Sequence, residues 1–191
     1  EYMEEEYVDK AIAGDQHALG ALYDLYFDRV LAYSYRRSID KQIAYDITAN
    51  TFLKVANNIR KFKKAHNNSF AGWLFRIANN EVVDYYRKPE KYSSSILLDE
   101  ELVGESDNPS DGELLDTLEL YKQLHDAMLE LPLKEQHIVD LYYFERMSYK
   151  EIAASTGIKE VNIGVLLHRS LAKLKNKIEP FVELTSQGEL S

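Results

Sequence analysis

The chain has 191 residues and a formal net charge of -9, from 32 Asp and Glu against 23 Lys and Arg. A composition of 45% hydrophobic and 29% charged residues with no cysteine is that of a soluble globular protein, and it excludes disulfide staples, thiolate metal sites and cysteine nucleophiles. No run approaches the roughly 18 apolar residues that span a bilayer, and acidic residues 1–9 lack the apolar stretch of a signal peptide, so a cytoplasmic protein without membrane insertion is expected.

Taken whole, an acidic chain argues against nucleic acid, whose phosphates repel it. The distribution says otherwise. Residues 1–17 carry net -5 and residues 89–118 net -8, whereas residues 18–88 hold twelve Lys and Arg against six acids, net +6. Residues 119–179 carry nine of each sign. A basic segment therefore lies between acidic ones, and charge has to be read per domain. Residues 89–118 also collect Pro89, Ser93, Gly104, Pro109 and Gly112, which is linker chemistry kept extended by like charges. The flanking parts are helical in period. The expected architecture is all-α: an acidic N-terminal segment (1–17), a first helical domain (18–88), an acidic linker (89–113), a second helical domain (114–179) and a tail (180–191).

In the first domain, Leu22, Leu25, Tyr26, Val30 and Tyr33 predict a helix over residues 19–35. Ile43, Ile47, Phe52 and Val55 predict a second over 41–58. A basic loop follows, with Arg60, Lys61, Lys63 and Lys64. Ser69 is the expected N-cap of a third helix from Phe70 to Arg87, which Pro89 ends. Phe70, Leu74, Ile77, Ala78 and Tyr85 form its inward stripe. Trp73, Arg76, Asn80, Asp84 and Arg87 share another face, which could stack a base and hold phosphates. A tryptophan half-buried in a three-helix core is the competing reading.

In the second domain, residues 114–129 form an amphipathic pattern (Leu118, Tyr121, Leu124, Met128) that Leu131-Pro132 punctuates. Pro132 is expected at the first position of the next helix, which runs to about residue 145 with Ile138, Leu141 and Tyr142 or Phe144 inward. Ser148 and Glu151 have capping-box spacing, Gly157 supplies a turn, and a long helix follows over 159–178. A short capped helix, a glycine turn and a longer helix make a helix-turn-helix pattern, with a plain helical hairpin as the alternative.

Together these residues resemble a known family. Residues 45–53 (YDITANTFL) are similar to the core-polymerase-binding helix of extracytoplasmic-function sigma factors of bacterial RNA polymerase. Residues 70–80 (FAGWLFRIANN), continuing through Asp84-Tyr85-Tyr86-Arg87, are similar to the helix that engages the minus-ten promoter element. Leu131-Pro132, residues 143–153 and residues 167–171 (LHRSL) resemble region 4. The resemblance covers nearly the whole chain, in order and at matching spacing. It implies a sigma factor that binds core RNA polymerase and directs promoter recognition and DNA melting. Asp46, Asn50, Phe52 and Leu53 would face the polymerase. Arg60, Lys61, Lys63, Lys64, Trp73, Arg76, Asn79, Asn80 and Arg87 would hold unstacked bases of the minus-ten element. Ser148, Tyr149, Lys159, Asn162, His168, Arg169 and Lys173 would contact minus-thirty-five DNA, and the linker would thread the RNA channel. Core polymerase and promoter DNA are the implied partners, with an anti-sigma factor a further one. No catalytic residue, cofactor, metal or small-molecule substrate is expected. The five histidines are scattered, with His137 and Asp140 the nearest approach to ligand spacing.

The chain departs from the family pattern at several positions. Ala49 and Asn50 stand where the core-binding helix has Gln and an acid. Gly164 and Leu166 stand where the second helix of the helix-turn-helix has Lys and Arg, and Gln136 and Tyr142 replace common arginines. With Ile163, Leu167, Leu171 and Leu174 inward, Val161, Val165 and Leu166 are left outward. Losing cations weakens the term on which DNA affinity rests. Two readings follow: an apolar-leaning minus-thirty-five readout using Asn162, Arg169 and Lys173, or a region 4 that acts mainly by protein contact through an apolar patch.

Overall fold

The computed structural model describes residues 2–38, 40–63, 69–87 and 122–188, with side chains described from residue 3 to residue 179 among them. The expected linker at 89–113, the start of the helix placed over 114–129, Lys64 of the basic loop and the side chains of the tail lie outside the described residues. Among those described, every element is helical and none forms a strand. No helix among them is long and apolar enough to cross a membrane.

The first bundle comprises α1 (Tyr2–Ile12), α2 (Gln16–Arg36), α3 (Lys41–Asn58), a 3-10 turn (Ile59–Lys61) and α4 (Phe70–Arg87). Each start has a local cause. Asp15 accepts from the backbone N–H of His17 and Ala18, so α2 begins three residues before the expected Leu19. Asp40 accepts from Gln42 and Ile43, and Ser69 from Gly72 at 3.0 Å. The acidic residues before position 17 are not a loose tail: α1 buries Val8 and Ala11 in the bundle, and Tyr26 donates to Glu4 at 2.6 Å. The core is completed by Leu22, Val30, Tyr33, Ile47, Val55, Leu74 and Ala78.

The second bundle comprises α5 (residues 122–129), α6 (Leu133–Val139), a π-helical turn (Asp140–Phe144), α7 (Tyr149–Thr156) and α8 (Glu160–Gly188). Pro132 caps α6 rather than occupying its first helical position. Ser148 and Glu151 make the reciprocal capping box, and Gly157, with φ 73°, makes the left-handed turn between α7 and α8. Ile138, Leu141, Met147, Ile152, Ile163, Leu167 and Leu174 form the core.

Several inward assignments move. Leu25 is 48% exposed, while Phe75 and Val82 are fully buried and Ile77 and Tyr85 only partly so. The reason is that α4 packs on α2 and α3 and also on α7, which turns its buried stripe. Leu171 is exposed and Leu166 half-buried, because Ser170 takes the inward position and its hydroxyl donates to Glu135 at 3.1 Å. Phe144 is exposed rather than inward, with the Arg36 guanidinium 3.8 Å from its ring centroid.

The helix-turn-helix geometry gives a clean stability test. A Cβ at Gly157 would meet no other atom within 4 Å, so Gly157→Ala suffers from backbone conformation alone. The expected loss is about 1 kcal/mol, read as a lower melting temperature of the full chain.

Candidate nucleic-acid interface

Four surfaces follow from this fold. On α3, Asp46, Asn50 and Leu53 are spaced four and three apart and all are exposed, Leu53 at 61%. Phe52 is half-buried and packs against Tyr23 (4.7 Å) and Phe27 (6.4 Å between centroids). Tyr23 is itself 42% exposed, so α2 widens the apolar patch with a residue the spacing on α3 cannot reveal.

On α4, Arg76, Asn80 and Arg87 are exposed beside the half-buried Trp73. Trp73 packs 5.1 Å from Phe62 and 5.8 Å from Phe70. Buried Phe62 pins the start of the basic loop under this tryptophan. Of the loop cations, Lys61 lies 3.4 Å from the Asn58 side-chain oxygen, Lys63 is exposed, and Arg60 lies over Gly14. Asn79 differs from the rest: its side-chain oxygen accepts from Arg37 at 2.9 Å, which turns it away from the Trp73 face.

On the helix-turn-helix, Lys159, Asn162, His168 and Arg169 are exposed, as is Ser148 at its cap. Tyr149 stacks toward Tyr142 at 5.4 Å. Arg169 and Lys173 both reach the buried Glu135, Lys173 at 2.9 Å. Burial alone would raise that carboxyl, but hydrogen bonds from Lys173, Arg169 and Ser170 hold it below its ordinary value. Part of the cationic charge of α8 is thus answered inside the bundle. Gln136, at a position where arginine is common in the resembled family, donates instead to the carbonyls of Leu129 and Leu131 and closes the end of α5.

The fourth surface joins the bundles. Arg36 pairs with Asp140 at 2.6 Å and Arg29 with Glu145 at 2.8 Å. Arg37, fully buried, donates to Tyr33, to Asn79 and to the Leu133 carbonyl, and lies 4.0 Å from Asp140. His137 sits 2.8 Å from the Tyr33 hydroxyl, and His125 bonds the carbonyls of Tyr35 and Ser38. Burial first, and then Arg37, hold His137 well below its ordinary value of 6.5. Burial raises Asp140 and Glu145, against the pull of the arginines. At the crossing of α4 and α7, a Cβ on Gly72 would stand 3.3 Å from the Ser155 Cβ, so the contact is a close one. His137 and Asp140, adjacent by spacing, are members of this ionic seam.

Residues 22–91 match the family Sigma-70 region 2, and residues 121–174 match Sigma-70, region 4. The chain belongs to the sigma-70 family of RNA polymerase sigma factors, extracytoplasmic-function type. The sigma factor is 27% identical over 157 residues to the RNA polymerase sigma factor YlaC of Bacillus subtilis, covering 82% of this chain and 90% of that protein. It is 32% identical over 170 residues to the ECF RNA polymerase sigma factor BldN of Streptomyces coelicolor, covering 88% of this chain and 63% of that one. Its fold is similar to CnrH, solved in complex with the cytosolic domain of CnrY (TM-score 0.70, 20% identity, 93% of this chain and 98% of that one). It is also similar to the sigma factor RpoE of Bartonella quintana, solved in complex with the anti-sigma factor NepR (TM-score 0.66, 18% identity, 84% and 96%). Two regions in this order make a promoter-recognition sigma factor, and the reading in which region 4 acts mainly by protein contact is not favoured.

The ionic seam between regions 2 and 4 predicts two outcomes. Asp140→Asn leaves the buried Arg37 without a carboxylate and should cost about 3–5 kcal/mol of closed-state stability, read as a lower melting temperature and a larger radius of gyration in X-ray scattering. Acidification should also loosen the seam. Below pH 6.5 an exposed histidine takes up a proton that the buried His137, facing Tyr33 and Arg37, does not, so the closed form loses stability as pH falls. Asp140 and Glu145, with raised values, act in the opposite sense. The difference between wild type and His137→Gln, measured from pH 8 to pH 5, isolates the histidine contribution.

Proposed function

We propose that this sigma factor docks on core RNA polymerase through the α3 face of Asp46, Asn50, Phe52 and Leu53, together with Tyr23 of α2. It then traps flipped bases of the minus-ten element on α4 and reads minus-thirty-five duplex with α8. The observation that carries the assignment is the α4 face. Trp73 stands on an aromatic base of Phe62 and Phe70, and Arg76, Asn80 and Arg87 project beside it. Such a surface stacks bases and holds a phosphate chain without any covalent chemistry. The exposed Lys61 and Lys63 extend its charge toward the loop. Domain bounds near 18–88 and 114–179 fit this division of labour, with α1 serving as a brace for region 2. No catalytic residue is assigned, and the site of action is the cytoplasm, where polymerase works.

The packed regions support an order of events in this reading. α7 of region 4 lies against the start of α4, next to Trp73, so separation of the regions would uncover that end of the minus-ten surface. Docking on polymerase supplies that separation. An anti-sigma factor, of the kind solved with RpoE, would act by holding the regions as they are found here.

Reconstitution with core polymerase tests the proposal. Leu53→Asp should weaken core binding about tenfold, the loss of one apolar anchor. Trp73→Ala should lower open-complex formation about tenfold, as one stacked base is worth roughly 1–3 kcal/mol. Arg76→Ala should reduce the salt slope of promoter binding by about one. A factor that binds no core polymerase would overturn the proposal.

A further inference from the structure

The outward side chains in the first two turns of α8 are Glu160, Val161, Asn162 and Val165. Val161 is 82% exposed and Val165 is 64% exposed. They stand at i and i+4, on one face. Neither serves the core, since Ile163 and Leu167 fill the inward positions of the same turns at 0% and 3% exposure. Between them on the neighbouring row is Gly164. The Tyr149 ring lies across it, and a Cβ there would come 3.3 Å from Tyr149 Cε2, so glycine leaves this position without a cation and any side chain there would have to displace the ring by a few tenths of an ångström. The cations further along, Arg169 and Lys173, are shared with Glu135. Glu160, at the positive end of the helix, repels phosphate rather than binding it. The part of a recognition helix that meets base edges therefore offers two isopropyl groups and one carboxamide.

In the major groove those groups have definite complements. An apolar side chain has the thymine 5-methyl as its partner, and asparagine bonds adenine at N6 and N7. Val161 and Val165 lie about 6 Å apart along the helix axis, close to two base-pair steps of about 3.4 Å. We infer that Val161 and Val165 read thymine 5-methyl groups, with Asn162 on adenine between or beside them, so that the minus-thirty-five element of this factor is A·T-rich and recognised through its methyls. This rests on the proposal that α8 lies in the major groove of the minus-thirty-five duplex. The occupant of the valine face is DNA rather than protein because Lys159, Asn162 and His168 border it with groups suited to phosphates and base edges.

The test uses holoenzyme reconstituted from core polymerase and the full chain. Its preferred minus-thirty-five element is first recovered by selection from promoters randomised there. Three versions of that promoter are then compared: unmodified, with each thymine of the element replaced by deoxyuridine, and with the element scrambled. Deoxyuridine pairs like thymine and lacks the methyl. Each contacted methyl removed should weaken binding about three- to fourfold, the effect of burying one methylene, so about tenfold for two. The Val161→Ala, Val165→Ala double variant should lose a similar factor on unmodified promoter, keep its melting temperature, and bind thymine and deoxyuridine promoters alike. If wild type binds the deoxyuridine promoter as tightly as the unmodified one while scrambling abolishes preference, methyl readout is overturned and the groove-binding reading stands. If scrambling changes nothing, both fail.

Discussion

A guanidinium with no access to water is the constraint on which the arrangement of this sigma factor depends. Arg37 closes α2, and its charge has been carried into the space between regions 2 and 4. Removing an ion from water costs several kcal/mol even after relaxation, so the site holds only while partners surround it. They come from three elements. Tyr33 belongs to α2, Asn79 to α4, and the Leu133 carbonyl to the start of α6, while Tyr86 of α4 donates to the Arg37 carbonyl at 2.8 Å. Asp140 supplies the opposite charge. Yet the set is incomplete: Arg37 Nε, Arg36 Nη2 and Asp140 Oδ2 are buried without a hydrogen-bond partner. A partly satisfied polar network holds two surfaces in register while gaining little net energy from doing so. That suits a contact able to yield, as the proposed docking on polymerase requires.

The same seam changes what the segment charges mean. The net +6 of residues 18–88 includes Arg29, Arg36 and Arg37, which pair with or lie beside Asp140 and Glu145, with Arg37 fully buried and Arg29 still partly open to solvent. The charge that region 2 presents to solvent is thus smaller than the count, with Lys61, Arg76 and Arg87 among its exposed cations. In region 4 the correction runs the other way. Its neutrality includes Asp140 and Glu145, which are answered by arginines of region 2, so region 4 keeps more uncompensated cations than the sum for residues 119–179 suggests, although Arg169 and Lys173 of α8 are shared with Glu135. The first two turns of α8, where the valines stand, hold no Lys or Arg at all.

What was legible in the sequence was local. The bounds of α3 and α4, the caps at Ser69 and Ser148 and the turn at Gly157 follow from chemistry within four residues, and the structure has them where the pattern puts them. The family and both regions were legible too, because their motifs are contiguous. The seam was not, since Arg29 and Glu145 are 116 residues apart and isolated charges on an amphipathic helix look like a solvated face. α1 escaped for a related reason: Val8 and Ala11 are few among six acids, and their burial needs α2 beside them. Asn79 shows the limit of motif transfer. Its position matches the minus-ten helix, but its direction is set by Arg37, far away in sequence.

The π-helical turn explains how region 4 presents two acids to the same neighbours. Along an α-helix at 3.6 residues per turn, residue i+5 is rotated about 140° from residue i, so Glu145 would point well away from Asp140. Here the N–H of Glu145 bonds the Asp140 carbonyl at 3.1 Å, an i to i+5 bond that sets the second residue nearly above the first. Both carboxylates then face α2, Asp140 toward Arg36 and Arg37 and Glu145 toward Arg29 and Arg36. The turn is closed by Arg146 in the left-handed region, φ 57°, and by the Met147 N–H on the Leu141 carbonyl. Met147 is thereby buried in the region 4 core one residue before the cap of the helix-turn-helix. The wider turn thus ties the acids that pair with region 2 to the start of the helix-turn-helix at Ser148.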